Sequence, residues 1–207
     1  MSGKRILFYG DSNTFGYDPA GYVGGRYPEE VRWVDILRKR LKDIYDVMGR
    51  GMNGRTIPSP GSYGTVDRMI TGSAPLDYFA IMLGTNDILL TDSPDWGKTA
   101  EDMACLILHI IEYQEIKAAG TNIILISPPL LFPGSGESSP FHKYEEQSIM
   151  LGEAYRKIAK KYNLISISAD KWDIDLAFDG VHISQKGSEE FADKMEKELL
   201  KIQEVNG

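Results

Sequence analysis

The sequence predicts an α/β fold: a five-stranded parallel sheet between two layers of helices, a three-layer α/β/α sandwich of the flavodoxin type. Three observations predict it. Five short runs, at 5–9, 44–48, 78–83, 122–126 and 164–168, are mostly apolar. The clearest of them lack the alternation of a strand with one wet face, so both faces are expected to be covered. Longer amphipathic segments separate the runs, as parallel strands require. No internal repeat, low-complexity tract or linker divides the 207 residues, so one domain over 1–207 is expected.

Each element has its own signal. Residues 5–9 (Arg-Ile-Leu-Phe-Tyr) read as a buried strand ending at Gly10. Residues 28–41 read as a helix, with Pro28 in the first turn and Val34, Leu37 and Leu41 on one stripe. Residues 44–48 form a weaker strand, closed by Gly49 and Gly51. Residues 78–83 are a strong strand. Residues 99–119 read as one helix, with Met103, Leu106, Ile107 and Ile110 on a face and Gly120 as its stop. The strand at 122–126 is halted by Pro128-Pro129. Residues 143–162 are helical, with Leu151, Tyr155, Ile158 and Tyr162 aligned. The fifth strand covers 164–168, and Ser184 caps a last helix carrying Phe191, Met195, Leu199 and Ile202. The Gly-, Pro- and Ser-rich stretches 58–64 and 130–142 are expected as surface loops.

Composition narrows the function. With 42% hydrophobic and 26% charged residues, the chain is expected to be globular rather than disordered. A net charge of −7 without a long basic run argues against nucleic acid and anionic membranes as partners. A single cysteine, Cys105, excludes an intramolecular disulfide and any multi-cysteine metal site, and is expected as a small core residue. The apolar run after Met1-Ser2-Gly3-Lys4-Arg5 is too short for a signal-peptide core, so a cytoplasmic location is the default expectation. No phosphate-binding or dinucleotide glycine loop and no His-Glu-x-x-His metal helix occurs. The Gly-x-Ser-x-Gly elbow is also absent around Ser12.

In open α/β sheets, ligands bind outside the carboxyl ends of the strands. Five polar clusters fall there: Gly10-Asp11-Ser12-Asn13-Thr14, Gly51-Met52-Asn53-Gly54-Arg55-Thr56, Gly84-Thr85-Asn86-Asp87, Ser127-Pro128-Pro129 and Asp179-Gly180-Val181-His182. A serine hydroxyl is a weak nucleophile until a base takes its proton, and an imidazole does so best when a carboxylate holds its tautomer. Asp179 and His182 can supply that pair on one turn, and Ser12 the nucleophile. The Ser12 and Gly54 N–H groups and the Asn86 amide can converge on an oxyanion. Asp11, Phe15, Tyr17 and Pro129 are candidate substrate contacts, with Asp11 also placed to anchor the nucleophile turn. Taken singly, each piece has a plain reading: turn tripeptide, cap or surface histidine. The remaining histidines are expected as a solvated helix position (His109) and a solvated loop residue (His142).

Gly10-Asp11-Ser12, Gly54, Gly84-Thr85-Asn86-Asp87 and Asp179-x-x-His182 resemble, in order and spacing, the four signature blocks of the SGNH (GDSL) hydrolases. The resemblance implies the SGNH hydrolase fold and a serine esterase with a Ser12–His182–Asp179 triad, an oxyanion hole of Ser12, Gly54 and Asn86, and no metal or organic cofactor. Val31-Arg32-Trp33, Gly54-Arg55-Thr56, Leu83 through Asp87 and Ser127-Pro128-Pro129 are similar to the bacterial arylesterase and acyltransferase branch. That branch implies short acyl esters as small-molecule substrates and a homo-oligomer. Phe15 and Tyr17 resemble aromatics that it carries near the acyl pocket. The alternatives are an esterase of O-acetylated carbohydrates, a lysophospholipase or thioesterase, and a non-catalytic binding protein on the same fold. Leu130, Leu131, Phe132 and Phe141 are read as lining a pocket, burying an interface or anchoring an ordinary loop.

Overall fold

The structure, a computed structural model, describes residues 3–21 and 25–206; Met1 and Ser2, read above as part of the charged start, lie outside them. The five strands are β1 (Lys4–Gly10), β2 (Tyr45–Gly51), β3 (Tyr78–Met82), β4 (Asn122–Ser127) and β5 (Ile165–Ser168). All pair in parallel in the order β2-β1-β3-β4-β5. The order reverses at β1, which places a crevice beyond the ends of β1 and β3.

Alternate strand residues feed two cores. Leu7, Tyr9, Phe79, Ile81, Ile123 and Leu125 pack beneath α3 (Gly64–Thr71), α5 (Trp96–Glu112), α6 (Gln114–Ala119) and α7 (His142–Lys161). Ile6, Phe8, Tyr78, Ala80, Ile124 and Ile126 face the other way, against α2 (Trp33–Arg40) and α8 (Gln185–Asn206). Two short helices, α1 (Ser12–Phe15) and α4 (Thr85–Leu89), start at the ends of β1 and β3. No helix among the described residues is long and apolar enough to cross a membrane.

Helix ends depart from expectation where tertiary contacts intervene. α2 begins at Trp33, not Pro28: Arg32 is extended, and the Trp33 N–H donates to Ser188 Oγ at 2.9 Å. The expected helix over 99–119 starts earlier, where Asp95 caps Gly97 and Lys98, and it breaks at Tyr113. There ψ is 133°, and the Tyr113 hydroxyl meets Thr71 Oγ1 of α3 at 2.9 Å. β2 runs through both glycines expected to close it. A side chain at Gly51 would strike the Phe15 backbone, so glycine serves close approach there. α3, α1 and α4 were not visible as helices, being only eight, four and five residues long. Cys105 is exposed rather than part of the core, because it falls off the buried Met103–Leu106–Ile107–Ile110 stripe. The stretch 130–142 is not wholly a surface loop, since Leu131 is buried in the core while Phe141 is exposed and stacked on Phe132.

Candidate active site

The nucleophile turn is built at the sharp exit from β1. Asp11 caps α1 by accepting from the Asn13 N–H at 2.9 Å. Ser12, first in that helix, places Oγ 3.0 Å from His182 Nε2. His182 Nδ1 lies 2.6 Å from Asp179 Oδ2. A carboxylate only accepts, so Nδ1 carries the proton and Nε2 is free to accept from the serine hydroxyl. Asp179 Oδ1 accepts from the backbone N–H groups of Val181 and His182, each at 3.0 Å. Burial pulls the Asp179 pKa up, but these backbone bonds and the imidazole outweigh it and hold the carboxyl below its ordinary value. A hydroxyl, an imidazole and a carboxylate in this line can pass a proton from the first to the second.

Asn13 joins two segments far apart in the sequence. Its Oδ1 accepts from the Ile183 N–H at 2.9 Å, and its Nδ2 donates to the Val181 carbonyl at 3.3 Å. Both bonds flank His182. The Asn13 carbonyl in turn accepts from the buried Trp33 indole at 2.8 Å. On the far side of the turn, the Phe132 N–H donates to the Gly180 carbonyl at 2.8 Å.

The loop after β2 approaches from the opposite side. Arg55 Nη1 donates to the carbonyls of Gly10, at 2.6 Å, and Arg50. Asn86 Nδ2 donates to the Arg55 carbonyl at 2.9 Å, which orients its amide and leaves the second hydrogen. Asp87, its pKa raised chiefly by burial, accepts from the Ile57 N–H at 3.1 Å. Gly54 stands exposed at φ 70°. Among the described residues, neither its N–H nor that of Ser12 has a hydrogen-bond acceptor in the protein.

The candidate substrate contacts separate. Tyr17 lies beside the site, its ring 4.6 Å from the His182 ring. Phe15 instead sits under the Arg26 guanidinium, 4.3 Å from its ring, and lines a hollow with Gly49 and Gly51. Two further candidates, Asp11 and Pro129, are buried. Asp11 is 1% exposed, with one oxygen on the Asn13 N–H and the other, Oδ2, buried without a partner, so it anchors the turn and does not reach outward. Its burial raises the pKa to about 6. Pro129 is packed among Thr85, Leu131 and Leu151 around a cavity of only about 10 Å³. His109 is not simply solvated: it meets Asp67 Oδ1 at 2.7 Å and stacks on Tyr63, tying α5 to α3. His142 begins α7 and bonds the Ser135 carbonyl at 3.0 Å. A hollow of about 1050 Å³ at α2 and α8 is walled by charges of both signs and holds none of the site residues.

Residues 8–189 match the model of the GDSL-like lipase/acylhydrolase family. The chain belongs to that family. It is an SGNH-superfamily carboxylic ester hydrolase, and its substrate is a small-molecule ester. The hydrolase superposes with a TM-score of 0.78 on a carbohydrate acetylesterase family member from Sinorhizobium meliloti, at 27% identity over 94% of this chain and 96% of that one. It superposes with a TM-score of 0.79 on the aryl esterase of M. smegmatis, at 23% identity over 96% and 99% of the two chains; that likeness speaks to the fold. A curated relative, the uncharacterized lipoprotein YqeF of Bacillus subtilis (strain 168), is 24% identical over 170 residues, 81% of this chain and 67% of its own.

Sequence reasoning missed the esterase's supporting residues. Asn13 and Trp33 stood inside quoted motifs, yet their partners are backbone atoms distant in sequence. Ser127, quoted for the resemblance, holds Asp170, which Arg156 neutralises at 2.9 Å, a buried brace between β4 and the turn after β5.

Proposed function

We propose that this esterase hydrolyses short-chain, acetyl-type esters through an acyl-enzyme on Ser12. The observation that carries the reading is the unbroken hydrogen-bonded line from Asp179 through His182 to Ser12, at 2.6 and 3.0 Å. His182 Nε2 takes the hydroxyl proton as Ser12 Oγ attacks the carbonyl carbon. The carbonyl oxygen, now an anion, is met by the Ser12 and Gly54 N–H groups and by the free hydrogen of Asn86 Nδ2. His182 returns the proton to the departing alkoxide. Water, deprotonated by the same nitrogen, then releases the acid. Asp179 stays ionised and stabilises the imidazolium. Tyr17 stands beside His182 as a wall for the ester. An alcohol in place of water at the second step gives acyl transfer.

The test is turnover of 4-nitrophenyl acetate by wild type, Ser12→Ala and His182→Ala. Each variant is expected to lose at least about 10³-fold in kcat, as removal of a triad member does elsewhere. Wild-type turnover by either overturns the proposal. The Sinorhizobium likeness favours a second reading, deacetylation of O-acetylated carbohydrates. Comparing an acetylated sugar with aryl acetates separates the two. A steep fall in activity beyond short acyl chains separates both from a lysophospholipase or thioesterase.

A further inference from the structure

A pocket of about 460 Å³ opens against the loop that carries Gly54. Gly54 and Arg55 form one wall; Thr65, Arg68 and Met69 of α3 form another, and Ser62 lies between them. Gly54, proposed above as an oxyanion donor, lines this hollow, and on that reading the hollow adjoins the ester site. Its size is that of an ordinary ligand site.

The charge in the pocket is one-sided. No Asp or Glu lines it. Elsewhere in this chain of net charge −7, Arg5, Arg32, Arg38, Arg40 and Arg156 are each matched by a carboxylate, while Arg26 and Arg50, outside this pocket, bond backbone carbonyls instead. Among the described residues, Arg55 and Arg68 have no such partner. Arg55 is nine-tenths buried, its guanidinium held 4.2 Å from the centre of the Tyr9 ring, and both its protein bonds use Nη1. Nε–H and the two Nη2 hydrogens therefore remain without a protein acceptor. Loss of solvent lowers the Arg55 pKa, against the opposing pull of Tyr9 and of the buried Asp11 carboxyl. A guanidinium with a free fork of donors matches the two oxygens of a carboxylate, and an unpaired second cation strengthens that preference.

We infer that this pocket is an anion subsite, and that the ester it serves carries a carboxylate. The inference rests on the esterase reading for its role and on Arg55 and Arg68 for its chemistry. The charged group has two possible sources. It is borne on the acyl side, as in a half-ester of a dicarboxylic acid, or on the alcohol side, as in an O-acylated hydroxy acid.

Two matched pairs of substrates distinguish the sources. 4-Nitrophenyl hemisuccinate against 4-nitrophenyl butyrate reads the acyl side; 4-acetoxybenzoate against 4-acetoxybenzamide reads the alcohol side. The variant is Arg68→Met, whose side chain is exposed on α3 and outside the catalytic set. One acidic ester is expected to lose about threefold to tenfold in kcat/KM in Arg68→Met, with Arg68→Lys recovering part of it. Its neutral counterpart should stay within about twofold, and the difference should shrink in high salt. Equal behaviour of acidic and neutral esters in wild type and variant overturns the inference. If wild type turns over no ester at all, the esterase reading fails by itself. The pocket is then read by titrating benzoate into both proteins at low salt. Tighter binding by wild type supports the subsite, and equal binding overturns it.

Discussion

The two sides of the active site are held in different ways. On one side, the Asp179–His182 turn is clamped from two directions. Asn13 grips the backbone on either side of His182, and Phe132 bonds the Gly180 carbonyl. Gly180, at φ 68°, has no room for a side chain, since a Cβ would stand 2.6 Å from the Phe132 ring. On the other side, Gly54 has nearly the same φ, 70°, but nothing lies within 4 Å of where its Cβ would be. Its loop is fixed from beneath, by Arg55, Asn86 and Asp87, and faces open space above. The same backbone conformation thus serves packing in one place and access in the other. The groups proposed to handle the proton stand in bonding geometry, while the space above Gly54 is clear.

This contrast can be broken from either side. The largest effect is expected from Asn86→Ala, which removes both the proposed oxyanion donor and the bond to the Arg55 carbonyl. Loss of one such donor costs roughly 2.7–4 kcal/mol of transition-state stabilisation, a fall in kcat of about 10²–10³. Steady-state kinetics on 4-nitrophenyl acetate measures it; a loss under about threefold would remove Asn86 from the site.

Asp11→Asn addresses the floor of the clamped side. Burial raises the Asp11 carboxyl from its ordinary 3.8 to about 6. A raised carboxyl favours the neutral form in the folded state. Stability from this group is therefore complete below about pH 3.8 and declines as pH rises through about 6. Relative to Asp11→Asn, wild type should lose up to about 3 kcal/mol between pH 4 and 7, at 1.36 kcal/mol per pKa unit. Denaturant midpoints across that range read the difference, and parallel curves would show that Asp11 ionises freely.

Asn13→Ala sharpens the comparison most directly, because it unfastens the clamp without touching a reacting atom. Two hydrogen bonds are lost, worth about 1–3 kcal/mol together. The melting temperature should drop, and kcat should fall about tenfold with KM little changed, since positioning and not substrate binding is affected. A fall in KM affinity at unchanged kcat would assign Asn13 to substrate contact instead.

Much of this architecture was legible in the residues. Strands such as 78–83 and 122–126 announce themselves because burial on both faces demands unbroken apolar runs. Once those strands are placed, the ligand crevice follows, and Ser12, Gly54, Asn86, Asp179 and His182 fall along it. What could not be read depends on partners with no sequence signature. The carbonyl of Val181 and the N–H of Ile183 look like any others, so the clasp by Asn13 leaves no pattern. The start of α2 at Trp33 and the break at Tyr113 are likewise decided by side chains from other elements. Asp11 was open to two readings in the sequence, turn anchor and substrate contact, and its burial favours the first.

The clasp spans 168 and 170 residues of chain. Ser12 stays without its proposed base until the segment that carries His182 has docked beside it. The appearance of activity should therefore report that these two distant segments have closed on each other.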